Sequence, residues 1–231
     1  MPSRELQLIV NADDFGRSSG INRGIARAHT EGIVTSASLM VRYPAAAEAT
    51  TLARGAPSLA VGLHVDLGEW VYADGSWAAV YEIDQTADQV EAQLTEFRKL
   101  LDRDPTHVDS HQHVHLHEPV RSICLELASR LRVPLRQFGP IRYEGGFYGQ
   151  TSEGAPLHES ISPDGMVALV RGLSEGVTEL VCHPGECEEL RSSYLIERPI
   201  ELETLCDPRV RAAIEDEGIE LCSFGDAGSQ L

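Results

Sequence analysis

Residues 107–118 read His-Val-Asp-Ser-His-Gln-His-Val-His-Leu-His-Glu and hold five of the chain's nine histidines, at 107, 111, 113, 115 and 117, together with Asp109. In an extended backbone successive side chains alternate between faces, so all six polar groups would point the same way. Neutral imidazole and carboxylate are the usual ligands of a catalytic divalent cation, and one strand end can offer several at once. A solvated loop that happens to be rich in histidine is the plain alternative. An expression tag is a poor account, because the run is internal, interrupted by Val108 and Val114, and carries its own aspartate.

Other reactive residues follow short apolar runs. Leu6–Val10 leads into Asn11-Ala12-Asp13-Asp14-Phe15-Gly16, Leu59–Leu67 carries Gly62-Leu63-His64, and Val177–Cys182 leads into His183-Pro184-Gly185. One carboxylate and two imidazoles around a metal, with water completing the sphere, is the arrangement of hydrolytic metal sites. Such a metal lowers the pKa of water and polarises a carbonyl. A second carboxylate that does not ligate can then take the proton. Asp13 and Asp14 suit this division, because neighbouring residues diverge. His183, in a loop stiffened by Pro184, is the candidate to protonate a leaving amine.

Each residue also has an ordinary reading. Asp13-Asp14 could cap the next helix, and His64 alone could be a hydrogen-bonded core residue. Cys182 reads as a small buried hydrophobe rather than a nucleophile. Arg136 either meets substrate, orients the base or forms an ordinary ion pair. Asp14-Phe15-Gly16 also occurs in kinases, but the glycine-rich loop, strand lysine and catalytic-loop motif of that class are absent from the sequence.

Positioning these groups requires strands that end at one place. The apolar runs at Leu6–Val10, Ile33–Val41, Leu59–Leu67, the histidine segment, Val133–Phe138, Val177–Cys182 and Ile219–Phe224 predict about seven strands. Between them the spacing predicts helices. One is capped by Ser18 or Ser19 and closed by Gly32; another runs from Pro44 to Gly55. A capping box at Thr86/Gln89 would open one through Val90, Leu94, Phe97 and Leu101. Glu118–Arg132 follows, then a helix begun by Ser162-Pro163, and short ones near 200–205 and 208–216. Residues 68–85, with Trp70, Tyr72, Trp77 and Tyr81, and the glycine-rich stretch 139–160 read as loops. The loop tryptophans could stack on a sugar ring or cover a barrel mouth.

Alternating strands and helices argue a parallel sheet covered by helices. The candidate residues fall at strand C-terminal ends, where α/β barrels build their sites, so a closed barrel is the favoured form. No linker or repeat divides the 231 residues, which are expected to form a single domain. Acidic residues outnumber basic ones 36 to 19, a formal charge of −17, which disfavours nucleic acid and anionic membranes as partners. The five cysteines form no CxxC pair and read as free thiols of a reducing compartment. No run resembles a signal peptide or a membrane span, so the expected location is cytoplasmic. The final Gly-Ser-Gln-Leu is expected to fray.

Taken together, Asn11–Gly16, Gly62-Leu63-His64, the segment Thr106–His115 and Cys182-His183-Pro184-Gly185 resemble the YdjC/ChbG-like carbohydrate deacetylases. Gly32-Ile33-Val34-Thr35-Ser36 and Gly218-Ile219-Glu220-Leu221 with Ser223-Phe224 add to the likeness, which runs through nearly the whole chain. The resemblance implies an irregular NodB-like (β/α) barrel that removes acetyl groups from N-acetylated amino sugars such as chitooligosaccharides, using Mg²⁺ or Zn²⁺. It further implies Asp14, His64 and His111 as metal ligands, Asp13 as base and His183 as acid. His113 and His115 would bind substrate or supply the acid instead, and a homodimer is possible. Arg136, outside those motifs, is placed with the substrate-binding residues on its own reading. The stretches after the third and fifth strands look short for the family, which bears on the substrate more than on the chemistry.

Two other classes compete. A phosphoesterase or cyclic amidohydrolase would place His-x-His on its first strand, where this chain has Asp13-Asp14. A non-catalytic sugar- or metal-binding barrel would bind without turnover.

Overall fold

A computed structural model describes residues 6–186 and 192–227. Cys187 and the C-terminal Gly-Ser-Gln-Leu, on which expectations were placed above, lie outside the described residues. The chain forms one α/β domain around a parallel sheet curled into a half-barrel. Strands β1 (Leu6–Phe15), β2 (Ser36–Leu39), β3 (Ala60–Val65) and β6 (Val108–Ser110) form one side. β7 (Arg142–Glu144) and β8 (Gly176–Cys182) form the other, in the order β6-β3-β2-β1-β8-β7, and β9 (Glu220–Leu221) also pairs with β1. The antiparallel hairpin of β4 (Gly68–Ala73) and β5 (Ser76–Glu82) stands apart.

The helices lie between the strands in sequence. They are α1 (Ser19–Thr30), α2 (Ala46–Gly55), α3 (Ala87–Leu101), α4 (Val120–Leu131), α5 (Pro163–Arg171), α6 (Glu197–Leu205), α7 (Pro208–Asp216) and α8 (Phe224–Ala227). Ser18 caps α1 by accepting from the Ile21 N–H at 3.2 Å, and Ser162 caps α5 ahead of Pro163. Thr86 is the N-cap of α3 as expected, but its side chain makes no capping bond. Val90, Leu94, Phe97 and Leu101 form that helix's buried face.

The two faces of β1 show how the sheet is used. Leu8, Val10 and Ala12 belong to the large apolar core that also contains the buried helix faces. Alternate residues turn the other way: Ile9 joins a small cluster with Ala60, Cys222 and Phe224, while Asn11 and Asp13 are buried polar groups. The concave side is thus apolar at one end and polar towards the strand C-termini.

Four expectations are corrected. First, no ladder joins β6 to β7, so the sheet is not a closed barrel. Second, Val133–Phe138 is no strand and keeps single bridges, Val108 to Leu135 and Leu135 to Phe138. Pro134 has no N–H to give, and Gln137 at φ 63° turns the chain away, so pairing resumes only at β7, in the stretch expected to be loop. Third, residues 68–85 are mostly a hairpin. Asp74 and Gly75 both adopt positive φ, which a two-residue turn between the Ala73–Ser76 pair needs. Fourth, only Val108–Ser110 of the histidine segment is strand. His111–Leu116 winds into a 3₁₀ turn with Gln112 and His113 at φ 49° and 55°, and this destroys the two-residue alternation.

Candidate active site

β1 bends where its two aspartates stand. Its register with β2 shifts between Ala12 and Phe15, a bulge, and Asp14 takes a left-handed φ of 68°. Adjacent strand residues would otherwise face opposite sides, so the bulge lets both carboxylates line the same cavity. Both are buried, but their partners differ. Asp13 is gripped from within the half-barrel by Arg136, at 2.8 Å through Oδ2 and 2.7 Å through Oδ1. Asp14 binds Arg198 through Oδ2, with Arg17 3.6 Å away.

Opposite Asp14 stand His64 from β3 and His111 just past β6. Asp14 Oδ1 lies 3.8 Å from His64 Nε2 and 3.2 Å from His111 Nδ1. The three residues offer ligand atoms all within 4.8 Å of one another. His64 Nδ1 donates to Asp109 Oδ1 at 2.8 Å, which fixes the ring so that Nε2 is the nitrogen turned towards Asp14. Asp109 is itself held by the Ser38 hydroxyl at 2.6 Å and by Arg136. His107 supports this layer from below, against Phe224 and 3.0 Å from Ser38 Oγ. It enters only because residue 62 is glycine, since a Cβ there would lie 2.4 Å from the imidazole.

Whether these residues fit a divalent cation can be judged from their unused atoms. Asp14 Oδ1 and His64 Nε2 are buried without a hydrogen-bond partner, as is Nε2 of His111. Buried polar atoms are rarely left so, and one carboxylate with two imidazoles is a transition-metal donor set. Asp13, His64 and Asp109 also cluster. There, however, Asp13 and Asp109 already accept from Arg136, and the Nδ1 of His64 is spent on Asp109. The first group fits; the second is a hydrogen-bonded scaffold.

Charge in the site follows from burial and partners. Burial works against the Asp14 carboxylate, but Arg198, Arg17 and His111 outweigh it and hold its pKa well below the usual range. Asp13 is likewise lowered against burial, chiefly by Arg136. Burial opposes charge on His64 too, but the carboxylates of Asp109, Asp13 and Asp14 raise its pKa to about 9, so a cation bound at Nε2 would have to displace a proton from it. Arg136 also binds Glu179, whose carboxyl burial pushes up to about 7.

His183 follows β8 and lines the cavity with Nε2 4.0 Å from Asp13 Oδ2. Its loop is seated by the backbone: Glu186 N–H donates to Gly20 O at 3.0 Å, and α1 comes so close that a Cβ on Gly24 would lie 2.5 Å from Gly185. Glu201 accepts from the His183 N–H and from the Tyr194 hydroxyl. The ring meets Tyr148 and Tyr194, themselves stacked at 4.5 Å. Burial lowers the His183 pKa to about 4.

The cavity over these groups has a volume of about 440 Å³. His113 reaches it and pairs with the Tyr143 hydroxyl at 3.0 Å. The expectation that His115 and Arg136 contact substrate is corrected. His115 is fully buried behind the turn on Ser110, and Arg136 is 2% exposed with its guanidinium committed to Asp13, Asp109 and Glu179. Neither lines the cavity.

Sequence reasoning missed Arg17, Glu69, Tyr148, Tyr194 and Arg198, all of which line it. Arg198 sits on α6, whose Glu197, Arg198 and Glu201 are buried, and nothing local distinguishes those charges from a solvated helix face. Glu179 left a signal, a lone charge inside the apolar run of β8.

With this geometry in view, comparison with known proteins is decisive for ancestry. Residues 7–216 match the model of the family described as YdjC-like protein. The chain belongs to that family. Among its YdjC-like relatives, a carbohydrate deacetylase of Brevibacillus brevis is 34% identical over 96% of this chain and 100% of its own length. A chitooligosaccharide deacetylase of Serratia marcescens is 30% identical over 96% and 99%. A crystal structure from Enterococcus faecalis, solved as a candidate cellobiose-phosphate cleavage protein, superposes with a TM-score of 0.79 at 27% identity, covering 96% of this chain and 99% of that one. A family 4 carbohydrate esterase of Streptomyces lividans shares the fold at a TM-score of 0.51 and 12% identity, over 94% and 91%.

Proposed function

We propose that this chain removes the acetyl group from an N-acetylated amino sugar by attack of water on the amide carbonyl. One observation carries the reading. In a chain whose YdjC-like relatives are named carbohydrate and chitooligosaccharide deacetylases, Asp14, His64 and His111 converge with unused ligand atoms beside Asp13 and His183.

Asp14, His64 and His111 would hold a divalent cation, and the mixed oxygen and nitrogen donor set suits Zn²⁺ better than Mg²⁺, which prefers oxygen. When bound, the ion supplies Lewis acidity, lowering the pKa of water and polarising the amide carbonyl. Asp13 takes the proton from the attacking water; Arg136 aims its carboxylate and keeps it ionised at neutral pH. His183 is neutral above a pKa of about 4, so it must gain a proton before it can give one. Its Nε2, 4.0 Å from Asp13 Oδ2, is placed to receive that proton and deliver it to the leaving amine. His113 and Tyr143 line the wall where the sugar would rest.

The free thiols of Cys124, Cys182, Cys206 and Cys222 fit a cytoplasmic location. Among the described residues no helix is long and apolar enough to cross a membrane.

The test is acetate release from N-acetylglucosamine and its β-1,4-linked dimer by the Zn²⁺-loaded protein, with a cellobiose phosphate in the same panel. Turnover of the acetylated sugars is expected, and Asp13→Asn should lower kcat by about 10²–10⁴ while the ion stays bound. Release of phosphate instead of acetate, or full activity in Asp13→Asn, would overturn the reading.

A further inference from the structure

Next to the cavity lies a second depression of about 440 Å³, walled by Trp70 and Trp77 of the β4–β5 hairpin, by Val114 of the 3₁₀ turn and by His117 just after it. Gln112 and Tyr148 line both spaces, so the two adjoin. Among the described residues no carboxylate, guanidinium or ammonium group lines the second one, in a chain of net charge −17. The catalytic cavity, by contrast, presents Asp13, Asp14, Glu69, Arg17 and Arg198.

The wall is held in place rather than loosely draped. Gln112 accepts from the Trp70 N–H at 2.8 Å and donates to Trp70 O at 2.7 Å, so its side chain pairs with the strand as a neighbouring backbone would. One residue before Trp70, Glu69 forms an ion pair with Arg17 at 2.6 Å. Trp77 is 59% exposed, its ring edge-on to Tyr72 at 5.7 Å. An indole left in water beside a cavity gains nothing for the fold. It does offer a flat apolar face with a polar N–H at its rim.

We propose that this groove binds the neutral sugar unit adjoining the one that loses its acetyl group. The protein then favours chains of two or more sugars over a monosaccharide, with Trp77 setting that preference. A pyranose ring has an apolar C–H face for the indole and hydroxyls at its edge for Gln112 and His117. The inference rests on the deacetylase reading for its link to catalysis, but the groove can be tested without it.

Trp70 and Trp77 are the chain's two tryptophans, so indole emission reports on this groove alone. Chelator-treated full-length protein would be titrated with N-acetylglucosamine and with its β-1,4-linked dimer. In parallel, kcat/KM for both sugars would be measured on the Zn²⁺-loaded wild type, Trp77→Ala and Trp77→Phe. Emission should respond to the dimer at far lower concentration than to the monomer. Trp77→Ala should cut the dimer-to-monomer ratio of kcat/KM by about tenfold, the scale of one lost aromatic contact, and Trp77→Phe should restore most of it. A dimer that is turned over without changing emission, or a ratio unmoved by Trp77→Ala, overturns the groove assignment and leaves the deacetylase reading standing. Failure to release acetate from either sugar overturns the deacetylase reading instead, and the emission titration still decides whether the groove binds sugar.

Discussion

His64 Nδ1 lies 2.8 Å from Asp109 Oδ1, and the opposite nitrogen of the same ring has no hydrogen-bond partner and faces Asp14. The carboxylate therefore decides which lone pair the imidazole shows to the site. Asp109 in turn depends on Ser38 and Arg136, so the geometry of the Asp14, His64 and His111 group is set two contacts away, inside the half-barrel.

Asp109→Asn should therefore weaken Zn²⁺ binding by about 10–100-fold, the usual cost of losing such an outer partner, without touching a proposed ligand. Competition titration against a chromophoric chelator checks it. An unchanged affinity would show that the His64 tautomer is fixed by something else.

Arg136 pairs with three buried carboxylates, Asp13, Asp109 and Glu179. Removing one partner of a buried ion network leaves the others uncompensated, which typically costs about 3–5 kcal/mol. Arg136→Met should lower the urea midpoint accordingly. A loss below about 1 kcal/mol, the scale of an exposed ion pair, would contradict its placement as the hub of the interior.

His107 is buried and its pKa falls, because of that burial, from the ordinary 6.5 to about 4. Near pH 5 the ring is thus neutral in the fold and charged once unfolded, so unfolding takes up a proton and stability drops as pH falls from 6.5 towards 4. His107→Asn should remove about one proton from that uptake and flatten the dependence in the same window. Denaturant unfolding of both proteins at several pH values reads the difference directly. Equal slopes would mean that the ring is charged in the native protein.

Much of the architecture follows from local pattern. Short apolar runs ending in polar residues mark β1, β3 and β8, and the convention that parallel strands present reactive groups at their C-terminal ends brings Asp13, Asp14, His64 and His183 to one place. What local pattern hides is where the backbone leaves its regular period. The bulge at Asp14 turns two neighbouring aspartates to the same side. The left-handed pair Gln112 and His113 scatters a histidine series that looks uniform when drawn extended. Asp74-Gly75 is of a residue type that favours a two-residue hairpin turn, a local signal that the loop reading of 68–85 did not use. Arg198 is of another kind: 184 positions from Asp14, its contact is created only by closure of the fold.

The central claim is that one ion is shared by Asp14, His64 and His111. Anomalous diffraction at the zinc edge, from crystals of the full chain grown with Zn²⁺, tests it most directly. The account predicts one peak per chain, at about 2.0–2.2 Å from Asp14 Oδ1, His64 Nε2 and a ring nitrogen of His111, and its loss in His111→Ala. A peak seated among Asp13, His64 and Asp109, or no peak at this site under saturating zinc, would contradict it.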